Sequence, residues 1–235
     1  WVARMIMAGC KFMDEVPFRN VVLHGVVRDD KGRKMSKSLG NSIDPLNIIE
    51  KYSADSLRFT LMQTTSPGMD VYINEEKFEL GRNFGTKLWN AARFIVSCAE
   101  NSGDTIPWSE VATAEPKLNQ ELLDDDDRHL LIACSRMISN VTATLEKYRF
   151  QDAALATYDF AWSTFCDRYL EGAKAELRGD NAELRAQKFA ILASVYGKLI
   201  RVLHPFMPFI TEELWHQLGY VGEEESIMTA PWPTE

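Results

Sequence analysis

The chain has 235 residues and 46% apolar content, enough for one large or two ordinary domains around a sizeable core. Its net charge of −8 and pI near 5.2 argue against a chain-wide electrostatic grip on nucleic acid. Any such grip has to be local, and residues 28–37 are the obvious place, with five basic side chains against two acidic ones.

Taken in chain order, residues 1–11 place Val2, Met5, Ile6 and Gly9 on one side, which predicts a helix entering the first strand. Val21, Val22 and Leu23 form a short apolar run suited to a buried strand of a parallel sheet. His24-Gly25 and Val26-Val27 follow, then a charged turn over residues 28–33. Next comes Lys34-Met35-Ser36-Lys37-Ser38, set between Gly32 and Gly40. Two lysines and two serines on a glycine-flanked loop can bring positive charge and hydroxyl donors onto a polyphosphate. Such groups count most where charge develops, as in phosphoryl or nucleotidyl transfer. The same five residues also fit a solvated basic turn. Their place at the carboxyl end of a strand favours the site, since open α/β sheets bind ligands there.

Asp44 then reads as an N-cap with Pro45 in the first helical position, followed by Leu46, Ile49 and Tyr52 at helical spacing. Ser53 or Asp55 opens another helix carrying Leu57, Leu61 and Met62. Residues 64–68 are a turn, and Val71-Tyr72-Ile73 suits a short edge strand. Asn74 caps a long helix with Phe78, Gly81, Phe84, Leu88, Ala91 and Ile95 on one face. Residues 101–116, with Gly103, Pro107 and Pro116, read as an exposed connector.

From Leu118 onward the pattern is helical throughout. One stripe runs Leu130, Cys134, Met137, Val141, Leu145, Tyr148; a second runs Leu155, Tyr158, Trp162, Phe165, Tyr169. A third runs Phe189, Leu192, Tyr196, Leu199, Leu203 and ends at Pro205. Breaks fall around residues 149–151 and 179–181, and a last helix runs from about Pro208 to Gly219. With the helix near residues 75–100 this predicts an antiparallel bundle.

Cys10, Cys98, Cys134 and Cys166 are widely spaced and lack zinc spacing. Residues 124–127, all Asp, suit a first helical turn, with a metal site as the alternative. The aromatic stripe is core by its spacing, with base stacking as the alternative. For His24, the following Gly25 would let a ligand approach the backbone; otherwise the imidazole bonds a neighbouring carbonyl. No signal peptide or membrane-length apolar stretch is found, which places the chain in the cytoplasm.

The run from His24-Gly25-Val26-Val27-Arg28-Asp29 to Lys34-Met35-Ser36-Lys37-Ser38-Leu39-Gly40-Asn41 resembles the second signature of class I aminoacyl-tRNA synthetases. Asp44-Pro45, Ala54-Asp55 and Leu57-Arg58-Phe59 continue that pattern. The valyl branch is most similar, on Trp1-Val2-Ala3-Arg4-Met5-Ile6, Arg82-Asn83-Phe84, Lys87-Leu88-Trp89-Asn90-Ala91-Ala92-Arg93-Phe94 and His204-Pro205-Phe206-Met207-Pro208-Phe209-Ile210-Thr211-Glu212-Glu213-Leu214-Trp215. Isoleucyl and leucyl branches share much of it.

The resemblance implies a mainly α fold: a remnant of a Rossmann-like α/β catalytic domain followed by an antiparallel α-helix bundle. Residues 1–74 would hold the end of the catalytic nucleotide-binding domain with the KMSKS loop. Residues 75–222 would be the helical anticodon-binding domain, and 223–235 a C-terminal tail. The implied reaction joins valine to its tRNA through valyl-adenylate, with ATP as co-substrate, Mg²⁺ arriving with the nucleotide and no structural metal. The implied partners are valine-specific tRNA, ATP and valine, for a monomer without membrane contact.

Lys34 and Lys37 would be catalytic, offsetting charge on the pyrophosphate, with Lys37 the sharper choice and Lys34 partly shaping the loop. Met35, Ser36, Ser38, His24 and Gly25 would join them in binding ATP. Trp1 would wall the amino-acid pocket, unless it is ordinary core packing. Arg82, Asn83, Lys87, Asn90 and Arg93 would lie at the domain junction near the tRNA stem, or form a solvated face. No anticodon contacts are assigned. The family's first signature, His-Ile-Gly-His, does not occur in these residues, so the resemblance implies a piece of a synthetase, inactive alone in adenylation. The alternatives are a non-catalytic helical tRNA-binding module, or the same reaction with isoleucine or leucine.

Overall fold

Helices make up most of the computed structural model, which describes residues 1–221 and 225–234, apart from the side chains of Lys37 and Thr113. The first, α1 (Val2–Ala8), runs into a π-turn (Gly9–Met13) that stops at Asp14, where φ is 52°. The helix expected over residues 1–11 is present, yet Val2, Met5, Ile6, Phe12 and Met13 all face solvent.

The strand expected at Val21, Val22 and Leu23 does not form, and these side chains are exposed. A strand needs a neighbouring backbone to bond, and the partner among the described residues, β2 (Val71–Tyr72), takes β1 (Val27–Arg28) instead. The pair is parallel, Val27 opposite Val71 and Arg28 opposite Tyr72. Gly25 serves this junction: a Cβ there would lie 1.8 Å from the Met69 carbonyl oxygen. The close approach seen at Gly25 is by the chain's own backbone.

Helix α2 (Pro45–Tyr52) starts as expected, with the Leu46 N–H donating to Asp44 Oδ1 at 2.9 Å and Pro45 in the first turn. Its buried face carries Ile48 and Tyr52, while Leu46 is exposed. Ser53 caps α3 (Ala54–Thr64) by accepting from the Ser56 N–H. Ile48, Tyr52, Val71, Ile73 and Phe78 close a small core beneath the two strands.

Asn74 caps one 3₁₀ turn (Glu75–Lys77) that leads into α4 (Phe78–Ser102). Phe78, Gly81, Phe84, Leu88, Ala91 and Ile95 are all buried, as their spacing predicts. The connector expected over residues 101–116 instead contains α5 (Trp108–Thr113), which buries Trp108 and Val111. Pro107 stands at its N-terminal boundary, where the missing N–H costs the helix nothing.

The remaining helices are α6 (Asp125–Glu146), α7 (Phe150–Asp159), a π-helical continuation (Phe160–Leu170), α8 (Lys174–Leu177), α9 (Ala182–Leu203) and α10 (Pro208–Gln217). α9 is the centre of the main core, with Phe189, Leu192, Tyr196, Leu199 and Leu203 fully buried. The α6 stripe is buried from Leu130 to Val141, but Tyr148, past the helix end at φ 58°, is exposed. In the second stripe Phe165 and Tyr169 are buried while Leu155, Tyr158 and Trp162 are only half-buried. A π-helical turn adds a residue per turn and rotates the stripe off its α-helical line.

The four Asp of residues 124–127 form a helix start: Asp124 and Asp127 make a reciprocal capping box for α6, and both also bind Lys188.

Candidate functional site

The basic loop is organised from its base by Asp29, which is 7% exposed. Asp29 Oδ1 accepts the Lys31 N–H (3.1 Å) and the Arg33 N–H (2.8 Å), while the Gly32 N–H closes the turn on the Asp29 carbonyl. Gly32 takes φ 75°, a conformation favoured by glycine. Oδ2 points the other way and accepts Arg33 Nε and Asn41 Nδ2, each at 2.9 Å. The Asn41 amide, with Arg33 behind it, holds the Asp29 carboxyl down to about 2, against the opposing effect of burial.

Asn41 in turn crosses the loop. Its Oδ1 accepts the Ser36 N–H at 3.0 Å, and its Nδ2 also reaches the Lys34 carbonyl at 3.4 Å. On the incoming side Lys34 bridges Arg28 in antiparallel fashion. At the tip the Ser36 hydroxyl accepts the Leu39 N–H, lies 3.2 Å from the Ser38 hydroxyl, and flanks the 3₁₀ turn Lys37–Leu39.

Two of the loop's cations are neutralised. Arg28 pairs with Asp70 at 2.5 Å and Arg33 with Asp29 at 2.8 Å. Asp70 also accepts the Val26 N–H, and these two contacts, the amide first, hold its carboxyl low. Lys34 is exposed and has no ion pair among the described residues. The Lys37 backbone sits at the tip, and its side chain lies outside the described residues.

Met35, Ser36 and Ser38 are thus brought together with Lys34 on one closed loop. His24 is exposed and its Nδ1 lies 2.9 Å from the Gly25 carbonyl, the local bond that was the alternative to a ligand contact. Trp1 is 90% exposed, so core packing is not its role here, and among the described residues no hydrogen bond or ring contact ties it to the loop.

The sequence offers Asp55 only as a possible helix start and Asp29 and Asn41 only as parts of a longer motif, and it assigns no site role to these residues or to Asp70. Asp29 carries one legible signal, the Asp-x-x-Gly spacing of a tight turn.

Asp55 joins the loop-bearing part to the helical part. Its buried carboxylate accepts the N–H of Phe209 (3.1 Å) and of Ile210 (2.7 Å), capping α10 from a distant stretch of chain. Arg58 donates to the Pro205 carbonyl at 2.9 Å, one turn along α3. Burial raises the Asp55 carboxyl, while the two amides, Arg58 and His204 oppose that shift. The Ser56 hydroxyl donates to the Phe78 carbonyl where α3 meets α4, and a Cβ on Gly81 would lie 2.8 Å from Ser56 Cα. Phe59 enters the main core, while Leu57 and Leu61 lean on the small one.

On α4, Arg82 lies over the Tyr52 ring at 5.6 Å, and Lys87 pairs with Asp167 at 2.6 Å over the Trp162 ring. Asn83, Asn90 and Arg93 are exposed. Asn90 and Arg93 line an open groove against Leu214 and Gln217 of α10.

Comparison with known proteins gives this arrangement its class. Residues 1–74 match the family described as tRNA synthetases class I (I, L, M and V), and residues 127–235 match the anticodon-binding domain of tRNA ligase. The chain belongs to the class I tRNA synthetases of that group. Its relatives include the valine–tRNA ligase of Bacillus cereus, 43% identical over 235 residues, 100% of this chain and 25% of that protein. The valine–tRNA ligase of Rhodopseudomonas palustris is 46% identical over 234 residues, 99% of this chain and 23% of that protein.

The chain spans about a quarter of the length of the curated relatives it matches. Among solved structures, a LeuRS–tRNA–LeuAMS ternary complex from Agrobacterium radiobacter K84 aligns with TM-score 0.74 and 22% identity, covering 98% of this chain and 26% of that one. Mycobacterium tuberculosis methionyl-tRNA synthetase with methionyl-adenylate aligns with TM-score 0.66 and 20% identity, covering 88% and 40%. These two share the fold. No helix among the described residues is long and apolar enough to cross a membrane.

Proposed function

We propose that the chain carries the KMSKS loop and the anticodon-binding helices of a valine–tRNA ligase. In this reading residues 1–74 end the catalytic part, 75–222 form the helical part and 223–235 a tail, with the last boundary lying outside the described residues. The valine carboxylate attacks the α-phosphorus of ATP, valyl-adenylate forms, and pyrophosphate leaves. Lys34 and Lys37 offset the charge that grows on the departing pyrophosphate, and Ser36 and Ser38 offer hydroxyl donors beside them. Mg²⁺ arrives bound to the nucleotide. The valyl group then passes to the cognate tRNA, held by the helical part.

One observation carries this reading: Arg33 is neutralised within the loop by Asp29 and Arg28 from outside it by Asp70, while Lys34 on the exposed limb has no counter-ion among the described residues. The identities with valine–tRNA ligases support valine over its neighbours. The test is valine-dependent pyrophosphate exchange by the full-length protein that carries this segment, with isoleucine and leucine as rivals. Lys34→Ala and Lys37→Ala should each lower kcat by roughly a hundredfold, the scale of losing one transition-state donor, with KM for valine little changed. Unchanged exchange in both variants would sink the assignment of the loop.

A further inference from the structure

The oxygens of Asp29 divide their work. Oδ1 shapes the turn through the Lys31 and Arg33 N–H groups, whereas Oδ2 is spent on Asn41 and the Arg33 guanidinium. Asn41 passes the constraint on, holding the Ser36 N–H and the Lys34 carbonyl on the opposite limb. The span from Lys34 to Asn41 is thereby closed at its neck by side chains, with Gly40 (φ 64°) just inside that neck. β1 and Asp70 anchor the incoming limb. We propose that Asp29 and Asn41 are a positioning pair: a clamp at the neck of the loop that sets where Lys34 and the tip stand when the nucleotide is engaged. This rests on the loop chemistry proposed above, and neither residue need touch substrate.

The chemistry of the pair makes the clamp testable by exchange. Asn at position 29 turns a donor toward Asn41 in one orientation of its amide, and toward the Lys31 and Arg33 N–H groups in the other. No flip satisfies both sides. The double exchange Asp29→Asn with Asn41→Asp reverses the donor and acceptor of the 29–41 bond and keeps an acceptor for the Ser36 N–H, but it leaves Arg33 Nε and the Lys34 carbonyl without their partners, so the recovery it gives is partial.

Two readouts apply. On the 235-residue chain, limited trypsin cleavage after Lys34 and Lys37 should speed up roughly tenfold in Asp29→Asn, and return toward the parent rate in the double exchange. In the full-length protein, Asp29→Asn should lower kcat for valine-dependent pyrophosphate exchange by roughly ten- to a hundredfold without moving KM for valine, and the double exchange should recover part of it. Far-UV circular dichroism checks folding, and Asn41→Ala, which cuts the same link without touching the turn, serves if Asp29→Asn does not fold. Parent cleavage rates in both single variants would overturn the clamp. Faster cleavage with unchanged kcat would overturn the positioning role. Full activity in Lys34→Ala and Lys37→Ala would overturn the loop chemistry instead, with cleavage still reporting on the clamp.

Discussion

Asp29 and Asp55 are both buried, yet their surroundings move them in opposite directions. Asp29 meets an amide donor and a guanidinium, so its ionised form is favoured in the fold. Its folded value, about 2, lies below the unfolded one near 3.8. The ordering it gives is therefore fully present above about pH 4 and lost as pH falls toward 2. Protection of the Ser36 amide against hydrogen exchange, corrected for intrinsic rate, should decline across that window in the parent chain. In Asp29→Asn the protection should already be low at neutral pH. A Ser36 amide equally protected at pH 6 and pH 2 would contradict this account.

Between elements, Lys188 of α9 is a buried ionic tie. It is 1% exposed and meets Asp124 (2.6 Å), Asp127 (2.8 Å) and Glu176 (2.9 Å), while the Tyr169 hydroxyl donates to Asp127 at 2.6 Å. Burial alone would lower the lysine, but hydrogen bonds to the three carboxylates raise it above its ordinary value. Its contribution is thus present below the ordinary lysine range and lost as pH rises through the folded value. Lys188→Met, leaving Asp127 buried and unpaired by charge, should cost about 3–5 kcal/mol in urea unfolding.

Gly81→Ala acts on another joint. The added methyl presses on Ser56 backbone where α3 crosses α4, and the expected loss is about 1–3 kcal/mol in the same measurement. A neutral result would mean the two helices slide apart easily.

Helices α4, α6 and α9 were legible because their apolar spacing repeats over many turns. The cap at Asp44 and Pro45 was legible because both signals are local. α5 was hidden by its flanking prolines, which mark loops and helix starts alike. Val21, Val22 and Leu23 misled because apolarity says a strand is possible but not that a partner backbone is present.

Over the whole molecule, protection is concentrated in one place. The main core is gathered around α9, the small core hangs on α3 and α4, and residues 1–26 bury no side chain. Hydrogen exchange should find residues 182–203 most protected and residues 1–25 least protected. Equal protection of α1 and α9 would contradict that ranking.

The loop itself was readable from sequence because lysines, serines and glycines sit side by side. Its supports were not: Asn41 acts on Asp29 from across the loop, and Asp55 acts on α10 from the far end of the chain. Nothing in a local pattern encodes such partners.

The capping of α10 by Asp55 also fixes an order of assembly. Met207, at the N-cap position, offers no side-chain cap, so the first turn of α10 is completed only when α3 has docked. That seal joins residues 154 and 155 positions apart, and the entropy of closing so long a loop favours late formation. In stopped-flow refolding, Asp55→Ala should leave the folding limb almost where it was and steepen the loss on the unfolding side. Its stability deficit of about 1–2 kcal/mol should be recovered almost wholly from a faster escape out of the native state.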